Sequence, residues 1–401
     1  MKVYGIIAEY NPFHNGHFYH IEETRRRTGC DAVIAVMSGD FVQRGEPALL
    51  DKWTRAEAAV RCGADLVLEM PAVFACSSAE GFARAGVGIL SGLGVAEGLS
   101  FGVEADPAEG LVTLAEWLAE ETPSYREELK KGLAKGLSYA RSRSEAVRKL
   151  AGNAAEREIS QPNNILAVEY LKQLKQQNSS LKPLMITRKG SGYHSVNTVQ
   201  EMAGAGWIRD MVRSDIRLTE LSPYYPPELR TIYGRAGIAD PKTLFPLLLY
   251  ALRTRKDLKT IDGVTEGLEN RAARAALQAE SLEELLGLIK SKRYSLTAVK
   301  RMLIRILLGI TKEDMEEMRK ARKYAVRVLG FSSSGASLIR EITKRDGPVK
   351  LITNVNRQRP EEPALKKMMD YDSVAADLYD LMRNGRFGGL SEYKMNPYRK
   401  E

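Results

Sequence analysis

Four short apolar runs, each followed by a stretch with helical spacing, constrain this chain more than any other feature. Val3–Ala8, Ala32–Met37, Asp65–Met70 and Gly98–Phe101 read as buried strands. Between them, His17–Arg27 stops at Gly29, Trp53–Arg61 follows Asp51 and stops at Gly63, and Ala79–Leu90 stops near Gly92 and Gly94. Asp51 suits an N-cap, and the glycines suit the left-handed residue that ends a helix. Strands that alternate with helices through short joints build right-handed βαβ units and a parallel sheet. Such sheets bind ligands beyond the carboxyl ends of their strands. Three segments fall there: the His14–His17 turn, Ser38-Gly39-Asp40 and Phe101-Gly102-Val103-Glu104.

The rest of the chain has a different texture. From about Asp106 to Gln177 the pattern is helical, with Leu111–Leu118 and Tyr125–Leu137 as amphipathic pieces and a helix start at Pro162-Asn163-Asn164-Ile165. A fifth strand at Pro183–Thr187 resumes the sheet and leads into Arg188-Lys189-Gly190-Ser191-Gly192-Tyr193-His194. Beyond Arg209, prolines at 223, 226 and 227 interrupt the chain, and everything to about Arg345 reads as helices. Val349–Ile352 reads as a last short strand before a helix around Ser373–Met382. The expected architecture is α/β: a Rossmann-like parallel sheet with a helical insertion over residues 1–220, and a mainly helical domain over 221–401.

The 401 residues suffice for two such units. No apolar run is long enough to span a bilayer, and Met1-Lys2-Val3-Tyr4 leads straight into a strand, so neither a membrane nor a secretory signal is expected. The odd set Cys30, Cys62 and Cys76 reads as buried free thiols of a reducing compartment, which points to the cytoplasm. A net charge of +9 suggests a polyanionic partner only where the cations cluster.

The chemistry concentrates at the first turn. The apolar strand stops at Asn11-Pro12, and His14-Asn15-Gly16-His17 opens the next helix; His14, His17 and His20 are three of only four histidines in the chain. A helix N-terminus offers free N–H groups to phosphates, and two imidazoles three positions apart at that start point into one phosphate-sized space. A side chain at position 16 would block close approach of a nucleotide. Imidazoles placed there donate hydrogen bonds to charge that builds during nucleotidyl transfer. A metal site built from the three histidines lacks a completing cysteine or carboxylate cluster. His20 reads as a surface histidine.

These residues resemble a known family. The His-x-Gly-His turn resembles the HIGH-motif nucleotidyltransferase superfamily. Glu9-Tyr10-Asn11-Pro12-Phe13-His14-Asn15-Gly16-His17, Met37-Ser38-Gly39-Asp40-Phe41-Val42-Gln43-Arg44-Gly45-Glu46-Pro47, Gly63–Pro71, Leu99–Glu104 and Gln161–Leu166 together are similar, in order, to the bacterial tRNA(Met) cytidine acetate ligases. The resemblance implies activation of acetate by ATP to acetyl-adenylate, then transfer of acetyl to N4 of the wobble cytidine of elongator tRNA(Met). It implies His14 and His17 as catalytic residues and an ATP site lined by Ile7, Ala8, Glu9, Tyr10, Asn11, Pro12, Phe13, His14, Asn15, Gly16, His17, Phe18, Tyr19 and His20. Gly102, Asn163 and Arg188 would complete that site, with Mg²⁺ offsetting the phosphate charge. In place of the superfamily's Ser/Thr-rich loop this chain has Ala203-Gly204-Ala205-Gly206-Trp207-Ile208-Arg209, where Arg209 and backbone N–H groups would form an anion nest or the glycines simply a flexible loop.

Cations cluster with aromatics further on: Lys290, Lys292 and Arg293 before Tyr294, then Lys300, Arg301 and Arg305. This pattern suits phosphates and unstacked loop bases. Arg319, Lys320, Arg322, Lys323 and Arg327 around Tyr324 form a second cluster, with Glu313, Asp314, Glu316 and Glu317 close by to neutralise it; Arg141, Arg143, Arg148 and Lys149 form a third. Two other functions fit part of the sequence: a small-molecule adenylyltransferase of cofactor biosynthesis, and a non-catalytic tRNA- or nucleotide-binding protein.

Overall fold

A computed structural model describes residues 1–401 apart from 105–108, 189–195, 198–201, 266 and 384–390. The strands, in chain order, are β1 (Val3–Ala8), β2 (Ala32–Ser38), β3 (Phe41–Val42), β4 (Glu46–Pro47), β5 (Leu66–Met70), β6 (Gly98–Val103), β7 (Lys182–Thr187), β8 (Val196–Asn197), β9 (Met202–Ala203), β10 (Tyr324–Phe331), β11 (Val349–Ile352) and β12 (Tyr398–Arg399). The main sheet runs β11-β10-β5-β2-β1-β6-β7, with β12 added beside β10. Every pair in it is parallel except β10 on β5. All seven residues of β2 and all five of β5 are buried, which is why these strands are nearly continuous apolar runs, with Glu69 as the charged exception, rather than alternating ones.

The helices α1 (Asn15–Thr28), α2 (Lys52–Arg61), α3 (Ala72–Ala75) and α4 (Ala79–Gly92) join the first strands; α5 (Glu109–Glu120), α6 (Pro123–Ala134), α7 (Tyr139–Ser160) and α8 (Pro162–Gln176) form the insertion before β7. Strand order reverses at β1: the chain builds outward through β2 and β5, then returns to β6 on the other side. The crevice between the carboxyl ends of β1 and β6 is therefore the place where a sheet of this kind takes a ligand.

The C-terminal half departs from the expected pattern. Tyr324–Phe331, read as part of the helical stretch to about Arg345, is instead a strand of the main sheet, between β11 and β5. The expected division at residue 220 accordingly does not coincide with a break in the sheet, because β10 pairs with β5. Arg327 cannot serve an RNA surface: it is buried, lies over the Trp53 ring at 5.4 Å and pairs with Glu392 at 3.3 Å. The final helix begins nearly three turns before Ser373, at Pro363, and ends at Leu381. The three cysteines are buried free thiols.

Beneath the sheet's carboxyl edge lies a buried charge cluster. Lys52 has no exposed surface, and its Nζ sits 2.8 Å from Glu69, 3.8 Å from Asp40 and in an ion pair with Glu392. Asp372, from the C-terminal helix, accepts the Ala72 N–H at 2.6 Å in the same region. The cluster fastens the C-terminal helix and tail to the strands that carry the site. Its excess of carboxylates raises their proton affinity: burial pushes Asp372 up to about 7 and Asp40 up to about 6, against the pull of Lys52. A carboxyl whose proton affinity rises on folding contributes stability at low pH and loses it as pH climbs from the unfolded value, about 4, through the folded one. Asp372→Asn keeps an oxygen for the Ala72 N–H and removes the charge. Measured by urea unfolding, this variant should gain stability relative to the parent as pH rises from about 5 to about 8; a pH-independent difference would contradict the assignment.

Candidate active site

The turn after β1 is held from many directions. Tyr10 takes a positive φ of 48°, the left-handed region that a bulky residue enters only when its surroundings demand it. Arg55, fully buried on α2, donates to the carbonyls of Glu9 at 2.7 Å and Ser38 at 3.0 Å. Asn11 accepts the Leu49 N–H through its side chain at 2.7 Å, and its carbonyl accepts from Arg209 at 2.7 Å. Tyr233 donates to the Phe13 carbonyl at 2.7 Å, and Asn15 donates to the Pro223 carbonyl at 2.9 Å. Chain from beyond residue 200 thus helps to shape a turn made near residue 10.

His14 and His17 cap α1 mutually. His14 Nδ1 accepts the Gly16 N–H at 3.0 Å, and His17 Nδ1 accepts the His14 N–H at 3.3 Å. This is a capping box in which two imidazoles replace the usual Ser/Thr and Glu. The rings stack with centroids 3.8 Å apart at 31°. Because each Nδ1 lone pair receives a backbone N–H, each neutral ring carries its proton on Nε2. Burial, reinforced by Arg188 and Arg209, drives His14 down to about 3, and burial with its histidine neighbours and Arg188 keeps His17 well below the ordinary imidazole range. Both rings are neutral hydrogen-bond donors at physiological pH.

This geometry corrects the expected source of phosphate donors. The Gly16 N–H goes to His14 Nδ1, and the His17 and Phe18 N–H groups go to the His14 carbonyl at 2.9 and 3.1 Å. Those first-turn N–H groups of α1 are spent on its own cap, so the imidazoles stand where the backbone was expected. The role of Gly16 changes likewise. A Cβ there would lie 2.8 Å from His14 Cε1, so the glycine is required by the imidazole packed over it.

The turn opens into a cavity of about 1110 Å³. Ile7, Ala8, Glu9, Tyr10, Asn11, His14, Gly16, His17, Tyr19 and His20 line it, as do Gly102, Asn163, Arg188 and Arg209. Four residues of the expected ATP set do not: Pro12 and Phe13 are buried beneath the turn, Asn15 binds Pro223, and Phe18 is exposed. His20 is no idle surface residue, since its Nε2 lies 2.9 Å from Ser100 Oγ, which also meets Thr24. Asn163 donates to Glu104, whose N–H donates to Asn164 at 2.9 Å; Arg188 faces the same Glu104 at 3.8 Å. A Cβ on Gly102 would make only ordinary contacts, with the Arg188 side chain at 3.6 Å and the Ile186 carbonyl at 3.9 Å. Residues 189–195 of the stretch after β7 lie outside the described residues.

The helix α9 (Ala205–Arg213) follows β9, and its Arg209 is buried against Asn11 and Glu46 rather than offered openly as part of a phosphate nest. Glu46, on the β3–β4 hairpin, also meets Arg213 at 3.4 Å and Lys300 at 3.7 Å. On the cavity's far side stands the helix Leu296–Leu308. Gly45 (φ 72°) lies so close to it that a Cβ would be 2.3 Å from the Arg301 nitrogen.

The family model for HIGH nucleotidyl transferases matches residues 1–389. The tRNA(Met) cytidine acetate ligase of Thermoanaerobacter sp. (strain X514) is 41% identical over 397 residues, covering 97% of this chain and 98% of that one. The enzyme of the same name from Clostridium perfringens (strain ATCC 13124) is 35% identical, covering 99% of both chains. The crystal structure of Thermotoga maritima TmcAL bound with alpha-thio ATP covers all of both chains, with a TM-score of 0.89 and 30% identity. The chain belongs to the tRNA(Met) cytidine acetate ligase family.

Within that family assignment, the cations expected to meet RNA divide into three groups. Lys290 and Lys292 are exposed. Arg293, Lys300 and Arg301 line the cavity, with Arg301 also donating to the Gln43 carbonyl at 3.3 Å. Arg305 is buried and paired with Asp262, so it leaves the RNA set. In the third basic cluster Arg143 is buried against Glu169 at 2.6 Å. Sequence reasoning did not single out Glu46, Arg55 or Glu104, whose partners are remote in the chain. Gly16→Ala should displace the His14 ring and lower acetate-dependent ATP–pyrophosphate exchange by about 100-fold or more, the scale of losing one transition-state donor, with the circular dichroism spectrum unchanged. Exchange at the parent rate would show that the ring tolerates a methyl group beside it.

Proposed function

We propose that this protein activates acetate with ATP, releasing pyrophosphate, and passes the acetyl group to N4 of the wobble cytidine of elongator tRNA(Met). The observation that carries the reading is the stacked His14–His17 pair opening into a cavity whose other wall bears Arg293, Lys300 and Arg301. Small-molecule sites occupy roughly 300–1,000 Å³. At about 1110 Å³ this cavity is larger, as expected where a nucleotide and an acceptor base must meet.

In the first step an acetate oxygen attacks the α-phosphorus and pyrophosphate leaves. Negative charge grows on the phosphoryl oxygens, and the two Nε2–H groups are fixed donors for it. Their neutrality is useful, because a site already lined by Arg188 and Arg209 needs directed dipoles that require no reorganisation. Mg²⁺ would arrive with the triphosphate: no group of three His, Cys, Asp or Glu side chains gathers to hold a resident ion among the described residues, and Mg²⁺ is commonly held through substrate phosphates.

In the second step an RNA loop delivers an unstacked base, which a single-stranded anticodon allows without opening a duplex. Lys290, Lys292 and Arg293, exposed beside Tyr294, are the residues proposed to meet its phosphates. No helix of the described residues is long and apolar enough to cross a membrane.

Incubating the protein with tRNA, ATP and isotopically labelled acetate, followed by nucleoside mass spectrometry, tests the reading. Labelled N4-acetylcytidine in elongator tRNA(Met) alone is the expected product. Label in acetyl-adenylate but never in RNA would leave acetate activation and overturn the RNA substrate.

A further inference from the structure

Four carboxylates are found among the cavity's described lining residues: Glu9, Glu46, Glu80 and Glu169. Three are neutralised. Glu46 meets Arg209 at 3.5 Å, Glu80 meets Lys172 at 3.1 Å, and Glu169 meets Arg143 at 2.6 Å. Among the described residues Glu9 has no ion-pair partner, and its carboxylate accepts the Gln43 N–H at 3.0 Å. It stands immediately past the end of β1, next to the strained Tyr10, in the crevice where the strand order reverses.

The amide-forming step releases a proton that something in the cavity must take. The described histidines of the cavity are unsuited to it. His14 and His17 have their Nδ1 lone pairs filled by backbone N–H groups and their protons on Nε2, and His20 Nε2 is engaged with Ser100. Resting on the acetyl-transfer reading above, we propose that the Glu9 carboxylate is the general base of that second step. The amino nitrogen attacks the acetyl carbonyl carbon and an N–C bond forms. The bond from that carbon to the adenylate's phosphate oxygen breaks, AMP departs with the electron pair, and the N–H proton passes to a Glu9 oxygen and then to water.

The surroundings suit a base, because they hold the proton more tightly than an ordinary exposed carboxylate would. Burial raises the proton affinity of Glu9, Glu46 adds to the rise, and Arg209, Arg44 and the Gln43 N–H oppose it. Tyr170 on α8 also faces it, and is itself held protonated by burial and by Glu9. The first step makes no such demand, because acetate enters already as an anion. That asymmetry separates a base from a residue that merely shapes the ATP site.

Glu9→Gln retains an oxygen for the Gln43 N–H and nearly the same volume. With the full-length protein, single-turnover acetyl transfer to tRNA should fall about 10²–10⁴-fold, the range of a lost general base, and by at least about tenfold more than acetate-dependent ATP–pyrophosphate exchange falls in the same variant. Parent transfer should rise with pH until Glu9 is ionised and then level off, and the residual transfer of the variant should lack that rise. The proposal is overturned if transfer survives within about threefold, if exchange and transfer fall together, or if the variant keeps the parent's pH profile. A parent protein inactive in both assays removes the acetyl-transfer reading itself, a failure distinct from any confined to the variant.

Discussion

The reciprocal capping of His14 and His17 is the interaction on which the rest of the site depends. An imidazole has two nitrogens with one proton between them when neutral, and filling Nδ1 with a backbone N–H decides where that proton sits. The cap therefore performs two tasks at once: it starts α1 and it aims two Nε2–H donors into the cavity. Protonating either ring on Nδ1 would break its cap bond, so the geometry and the depressed proton affinity reinforce each other.

Such a turn has to be imposed by its surroundings. Five hydrogen bonds involving Leu49, Arg55, Arg209, Tyr233 and Asn15 hold the turn between Glu9 and Asn15, three of them to its backbone carbonyls and one reaching Pro223. Deeper down, Lys52 binds β2 and β5 to the tail through Asp40, Glu69 and Glu392. A buried ion network of this kind adds little net stability over an apolar core but is costly to break, by about 3–5 kcal/mol when one partner is lost. Its effect is to make the placement of the C-terminal segments specific.

Much of the sheet was legible in the sequence because its central strands are buried on both faces and so appear as nearly continuous apolar runs. The turn was legible because Asn-Pro, Gly16 and two histidines in close spacing carry both conformational and chemical meaning. What escaped was set by partners distant in the chain. Tyr324–Phe331 looked helical and basic, yet Arg327 folds inward onto Glu392 and Trp53. Arg305 matched its basic neighbours in spacing, and only the fold reveals Asp262 beside it. Capping by imidazole has no propensity signal comparable to that of Ser, Thr, Asp or Asn, so the first-turn N–H groups of α1 were expected to be open.

The central claim is that the two Nε2–H groups grip the phosphates of ATP. A crystal structure with a non-hydrolysable ATP analogue tests it directly. The account predicts α-phosphate oxygens within hydrogen-bond distance of both Nε2 atoms, with the His14–Gly16 and His17–His14 cap bonds intact. An analogue whose phosphates lie away from both rings, or rings that turn to present Nδ1, would contradict it.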